Sequence, residues 1–158
     1  MANEKTYAVV RGYRLEVPEG WQWLSEEERL ALQNGIGPDR WPAGYRSMLD
    51  EFSGFRAVAD VHDVDYCLGR TSEDRLAADR RFFVNCLRVI YADADGLSSI
   101  IFRGEWRVVL ARVLLARAMY RLLRLGGRQA FVVSTKLDLQ VRGQAAVTEY
   151  DDLYEGEV

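Results

Sequence analysis

The sequence is poor in cysteine, and no long apolar run occurs in it. Two cysteines, Cys67 and Cys86, are too few for the disulfide scaffold of a small secreted domain. No stretch approaches the ~20 consecutive apolar residues that span a bilayer. The first residues, Met1 to Lys5, contain no apolar signal core, so the chain is expected to be made in a reducing cytoplasm. Lysine occurs only at Lys5 and Lys136, and the other basic residues are arginines. The net charge of −3 argues against a nucleic-acid partner, which calls for a basic surface.

What is present fits a globular chain. Apolar residues make up 49% and charged residues 28% of 158 positions, enough for one domain, 1–158, with its own core. Three regions are expected in it: an N-terminal hairpin region (1–24), a helical core (25–130), and a C-terminal extension (131–158) with an acidic tail. The fold class is mainly α, a small domain built on an antiparallel helix pair with a short N-terminal β-hairpin.

The local signals are as follows. Tyr7–Val10 and Tyr13–Val17 flank Arg11-Gly12 and predict a hairpin. Ser25 with Glu28 is a capping box that opens a short helix to Leu32. Asn34-Gly35-Ile36-Gly37-Pro38 breaks that helix. Helical spacing predicts a second helix over 53–68, a third over 72–91 and a fourth over 104–125. Gly126-Gly127 reads as the stop of the fourth helix, and Phe131–Val133 as a strand-like piece.

The second and third helices carry the chemistry. Phe55, Val58, Ala59, His62 and Tyr66 share one stripe, with His62, the only histidine, at its centre. On the third helix Asp79 shares a stripe with Phe82, Phe83, Cys86 and Ile90. An aspartate on an apolar face needs a partner. Gly69-Arg70-Thr71 is a short connection, so the helices pack antiparallel, and spacing from the turn sets His62 opposite Asp79. An imidazole oriented by a carboxylate is the arrangement of a general base. A lone histidine on an apolar stripe also fits a purely structural core residue; the facing aspartate and the acid that follows, Asp63, favour chemistry. Asp63 is expected to point to the edge of the stripe, and Asp60 and Asp65 to be solvated.

Gly35-Ile36-Gly37, His62-Asp63-Val64-Asp65-Tyr66 and Ala78-Asp79-Arg80-Arg81-Phe82 together resemble the phospholipase A2 superfamily pattern: a glycine-rich calcium loop, an HDxxY helix and a later aspartate facing the histidine. The short interval from His62 to Asp79 is more similar to the minimal domain of parvovirus capsid proteins than to the secreted enzymes. Phage and prophage proteins with HDxxY and an AD…F segment are also similar. The resemblance spans about residues 33 to 90. It implies His62 as the general base on water, Asp79 as its orienting carboxylate, and Tyr66 as the support of Asp79. It also implies Ca²⁺ held by Asp63 and by backbone carbonyls near Gly35 and Gly37, with the metal and the Gly35 amide stabilising an oxyanion. The implied partners are a phospholipid or membrane surface and a phage or secretion-system protein, with the chain virion-associated or exported by a non-classical route. The chain departs from the secreted enzymes in its lack of disulfides and in Gln33-Asn34 ahead of the loop. The rival reading is a virion or morphogenesis component that keeps the scaffold without turnover. An HD-type phosphohydrolase needs several histidines, and this chain has one.

Two further features remain. Arg103, Arg107, Arg117, Arg121, Arg124 and Arg128 are expected on one side of the fourth helix, with Val108, Leu115, Met119, Leu122 and Leu123 opposite. That face fits either an anionic membrane surface or a solvated side of a core helix. Trp21, Trp23 and Trp41 fit either an interfacial lip or core packing.

Overall fold

A computed structural model describes residues 5–33, 54–94 and 106–141. Two strands, β1 (Thr6–Val10) and β2 (Tyr13–Val17), pair antiparallel with Thr6 opposite Val17 and Val10 opposite Tyr13. Arg11 and Gly12, at φ 48° and 88°, form the turn, the left-handed pair that a tight hairpin requires. Alternation along β2 turns Leu15 and Val17 into the core. The backbone of Glu16 faces away from β1. Its N–H donates to Asn85 Oδ1 (2.9 Å) and its carbonyl accepts from Asn85 Nδ2 (2.8 Å), so a fully buried amide side chain ties the free edge of β2 to a helix.

After a 3-10 turn at Trp21–Trp23, helix α1 (Glu26–Leu32) begins at the expected capping box: Ser25 Oγ accepts from Glu28 N at 3.2 Å, and Glu28 accepts from Ser25 N at 2.7 Å. Trp21 is buried in the core and Trp23 is exposed, while Trp41 lies outside the described residues. Two of the three tryptophans therefore do not share a lip.

Helix α2 (Arg56–Leu68) starts later than its apolar spacing suggests. Gly54 has φ 65°, which no right-handed helix accommodates. Helix α3 (Ser72–Asp93) follows after Gly69 and Arg70. A second capping box, Thr71 with Asp74, begins it, and Arg70 Nη1 donates to the carbonyls of Cys67 (2.8 Å) and Gly69 (3.0 Å) at the end of α2. Both ends of the tight connection are thus satisfied, which holds α2 and α3 antiparallel. The main core lies between them and the hairpin, built on Phe55, Val58, Val61, Phe82, Cys86 and Ile90. Cys67 and Cys86 are free, buried thiols.

Helix α4 runs from Trp106 to Val141, straight through Gly126-Gly127. Neither the expected stop nor the strand at Phe131–Val133 occurs, and the helix crosses residue 130 without interruption. Glycine costs a helix ~1 kcal/mol relative to alanine, and here close packing requires one. A Cβ on Gly127 would stand 2.6 Å from the Tyr66 hydroxyl. One turn further, Phe131 is fully buried and covers Gly69, where a Cβ would lie 2.6 Å from the ring. The tertiary contacts of α4 with α2 therefore outweigh local propensity.

Three surface assignments also change. Asp60 and Asp65, expected in solvent, are 1% and 7% exposed. Asp60 accepts from Arg11 and from Arg56, and Asp65 from Arg81, so each buried carboxylate has a guanidinium. On α4 the expected arginine stripe holds only in part: Arg107, Arg117, Arg121 and Arg128 are exposed, Arg124 turns inward to Asp79, Val108 and Leu122 of the opposite set are exposed as well, and Arg103 lies outside the described residues.

Candidate active site

His62 and Asp79 meet across the α2–α3 pair, with His62 Nε2 3.2 Å from Asp79 Oδ1. The Tyr66 hydroxyl, one turn along α2, donates to the same Oδ1 at 2.6 Å. Arg124 of α4 donates from Nη1 to Oδ2 at 2.8 Å. Asp79 is fully buried, and His62 is 7% exposed. The imidazole is held by rings on two sides: Tyr66 with centroids 4.1 Å apart, and Phe82 edge-on at 5.2 Å. Phe131 closes the far side of Tyr66 in an edge contact at 5.2 Å.

The electrostatics follow from these contacts. Burial pushes the Asp79 carboxyl up, but the hydrogen bonds from His62, Tyr66 and Arg124 outweigh it and hold the group below the ordinary carboxylate range. Asp79 is therefore an anion at neutral pH. Burial raises the Tyr66 phenol, and the negative charge of Asp79 raises it further, so Tyr66 stays a donor. An ionised Asp79 can only accept, so Nε2 of His62 is the donor in this contact, and in the neutral ring that tautomer leaves the lone pair on Nδ1.

The sequence-predicted residues divide into two groups. His62, Asp79 and Tyr66 come together. Asp63 follows His62 on α2 and is half-buried. Gly35 and Gly37 lie outside the described residues, so the loop half of the expected calcium shell is not placed. Among the described residues no group of three or more acidic, histidine or cysteine side chains gathers at Asp63 or elsewhere. A shell of one carboxylate with loop carbonyls would be all-oxygen, the donor chemistry that calcium takes.

Two members of the site were not expected from the sequence. By sequence Arg124 belongs with the outer arginines, yet it supplies a cation to the buried Asp79 carboxylate. Gly127 reads in the sequence as a helix stop, and in the structure it is the gap into which the Tyr66 hydroxyl fits. The signal for both is their spacing: three residues apart, they lie on one side of a helix that must also pass the Asp79 end of the pair.

None of the family models, curated proteins or solved structures compared with this chain matches it.

Proposed function

We propose that the chain is a calcium-dependent ester hydrolase of the phospholipase A2 type. The observation that carries this reading is the contact of His62 Nε2 with Asp79, supported on the same oxygen by Tyr66, which leaves Nδ1 as the basic atom. In this reading Nδ1 takes a proton from water, and the resulting hydroxide adds to the ester carbonyl. The imidazolium formed, held by the Asp79 anion, returns the proton to the leaving alkoxide as the acyl–oxygen bond breaks. Asp63 and the carbonyls of Gly35 and Gly37 would hold Ca²⁺, and the bound ion would polarise the carbonyl and favour negative charge on its oxygen. The substrate would be a phospholipid at a membrane surface, reached from a virion or after export by a non-classical route.

A second reading is favoured by a specific observation. Arg124 neutralises Asp79, and Tyr66 and Phe82 enclose the ring of His62. Such a cluster stabilises three helices whether or not turnover occurs, as a virion or morphogenesis component that keeps the scaffold would require. Hydrolysis of phospholipid vesicles, assayed with calcium and with chelator, separates the two. Calcium-dependent release of fatty acid supports the hydrolase, and an inert wild-type protein supports the structural component.

A further inference from the structure

The outward face of α4 combines exposed leucines with exposed arginines. Leu114, Leu122 and Leu125 are 58%, 59% and 86% exposed. Arg107, Arg117 and Arg121 are exposed on the same side. At 3.6 residues per turn Leu114 and Leu125 lie at the centre of this face, Leu122 on one flank, and Arg117 and Arg121 along the other. The inward arginines are paired, Arg112 with Asp93 and Arg124 with Asp79, both at 2.8 Å. The three outward ones have no ion-pair partner among the described residues. From Trp106 to Lys136 the sequence contains no acidic residue, although the whole chain carries a net charge of −3. Positive charge is therefore concentrated on one helix, and its apolar side chains lie beside it.

We propose that this face of α4 docks on an anionic lipid surface. Leucines of this exposure gain by entering the boundary between headgroups and acyl chains, and guanidinium groups beside them meet lipid phosphates. The occupant must bring negative charge. A second copy of this face would bring only its own arginines, and like charges would oppose them. From Arg107 to Leu125 the face runs about 27 Å along the helix, a straight stripe suited to an extended surface. Among the described residues no helix is long and apolar enough to cross a membrane, so α4 lies on the bilayer in this proposal and does not span it. Docking of this kind needs no turnover at His62, and it stands or falls independently of ester hydrolysis.

Flotation of the full chain with vesicles, in the presence of chelator, tests it. The protein should float with phosphatidylcholine vesicles that contain phosphatidylglycerol and remain behind with phosphatidylcholine alone. Reversing two charges in R117E/R121E should lower the partition roughly tenfold or more. The triple variant L114S/L122S/L125S should lose binding while its circular dichroism stays that of the wild type, because these side chains contribute little to the core. Equal binding to both vesicle types, or wild-type protein that floats with neither, overturns the proposal. So does a wild-type dimer in sedimentation equilibrium that the leucine variant dissociates, since the face would then belong to a second copy. If a variant loses its helical signal, the comparison of the two vesicle types on wild type still decides.

Discussion

The Tyr66 hydroxyl and Gly127 approach so closely that a Cβ at residue 127 would lie 2.6 Å from the oxygen. The same hydroxyl holds Asp79 at 2.6 Å, so the packing of α4 on α2 and the orientation of Asp79 depend on one contact. Gly126, its neighbour, has nothing within 4 Å of an added Cβ. The two glycines therefore respond in opposite directions to the same substitution. Gly126→Ala should stabilise by ~0.5–1 kcal/mol through helix propensity. Gly127→Ala should destabilise by ~1–3 kcal/mol, since overpacking displaces Tyr66. Urea unfolding of both variants checks this, and equal effects would mean that Tyr66 does not press on α4.

Asp79 predicts a pH dependence. Its folded pKa lies below the ordinary value, with burial opposed by three hydrogen bonds. A lowered carboxylate contributes stability that is complete above the unfolded pKa, about 3.9, and is lost as pH falls through the lower folded value. Near neutral pH Asp79→Asn should cost ~3–5 kcal/mol, because it strips the charge from a buried group paired with Arg124. The gap in melting temperature between wild type and variant should narrow as pH drops below about 4. A gap that stays constant down to acid pH would place the charge of Asp79 outside the stability of the fold.

Asn85 makes both backbone groups of Glu16 dependent on one side chain. Asn85→Ala should cost ~1–3 kcal/mol, since it leaves a donor and an acceptor unpaired where the hairpin meets α3. Asn85→Asp keeps the acceptor for Glu16 N–H and loses the donor for its carbonyl, so it should also destabilise. Amide exchange read residue by residue should speed up at Glu16 in Asn85→Ala and stay slow at Val89 and Ile90, inside α3. Unchanged exchange at Glu16 would contradict the contact.

The parts of the fold legible in the sequence are those set by short-range patterns. The hairpin was marked by Arg11-Gly12 between alternating residues, α1 by its capping box, and the α2–α3 pair by apolar periodicity and a short connection. The opposition of His62 and Asp79 was legible for the same reason, because antiparallel helices joined by a tight turn fix which residues face each other. What escaped depends on contacts distant in sequence. A glycine that stops a helix and one that admits a tyrosine look alike until the partner is known, and Tyr66 lies 61 positions before Gly127. Asp60 and Asp65 read as solvated acids because Arg11 and Arg81, which pair with them, are 49 and 16 positions away; the other partner of Asp60, Arg56, is one turn before it, a spacing that an exposed ion pair on a helix shares. Arg124 was hidden similarly, 45 positions from Asp79, in a helix with arginines on both its inner and outer sides.

The central claim is that His62, oriented by Asp79, activates water. The most direct measurement is the initial rate of fatty-acid release from phospholipid vesicles with calcium, on wild type and His62→Gln, beside the melting temperature of each. The hydrolase reading predicts release by the wild type that chelator removes, and a loss of ~10²–10⁴-fold or more in His62→Gln while the variant still melts as a folded protein. Wild-type protein without activity on any calcium-supplemented phospholipid, or a His62→Gln variant as active as wild type, would contradict it.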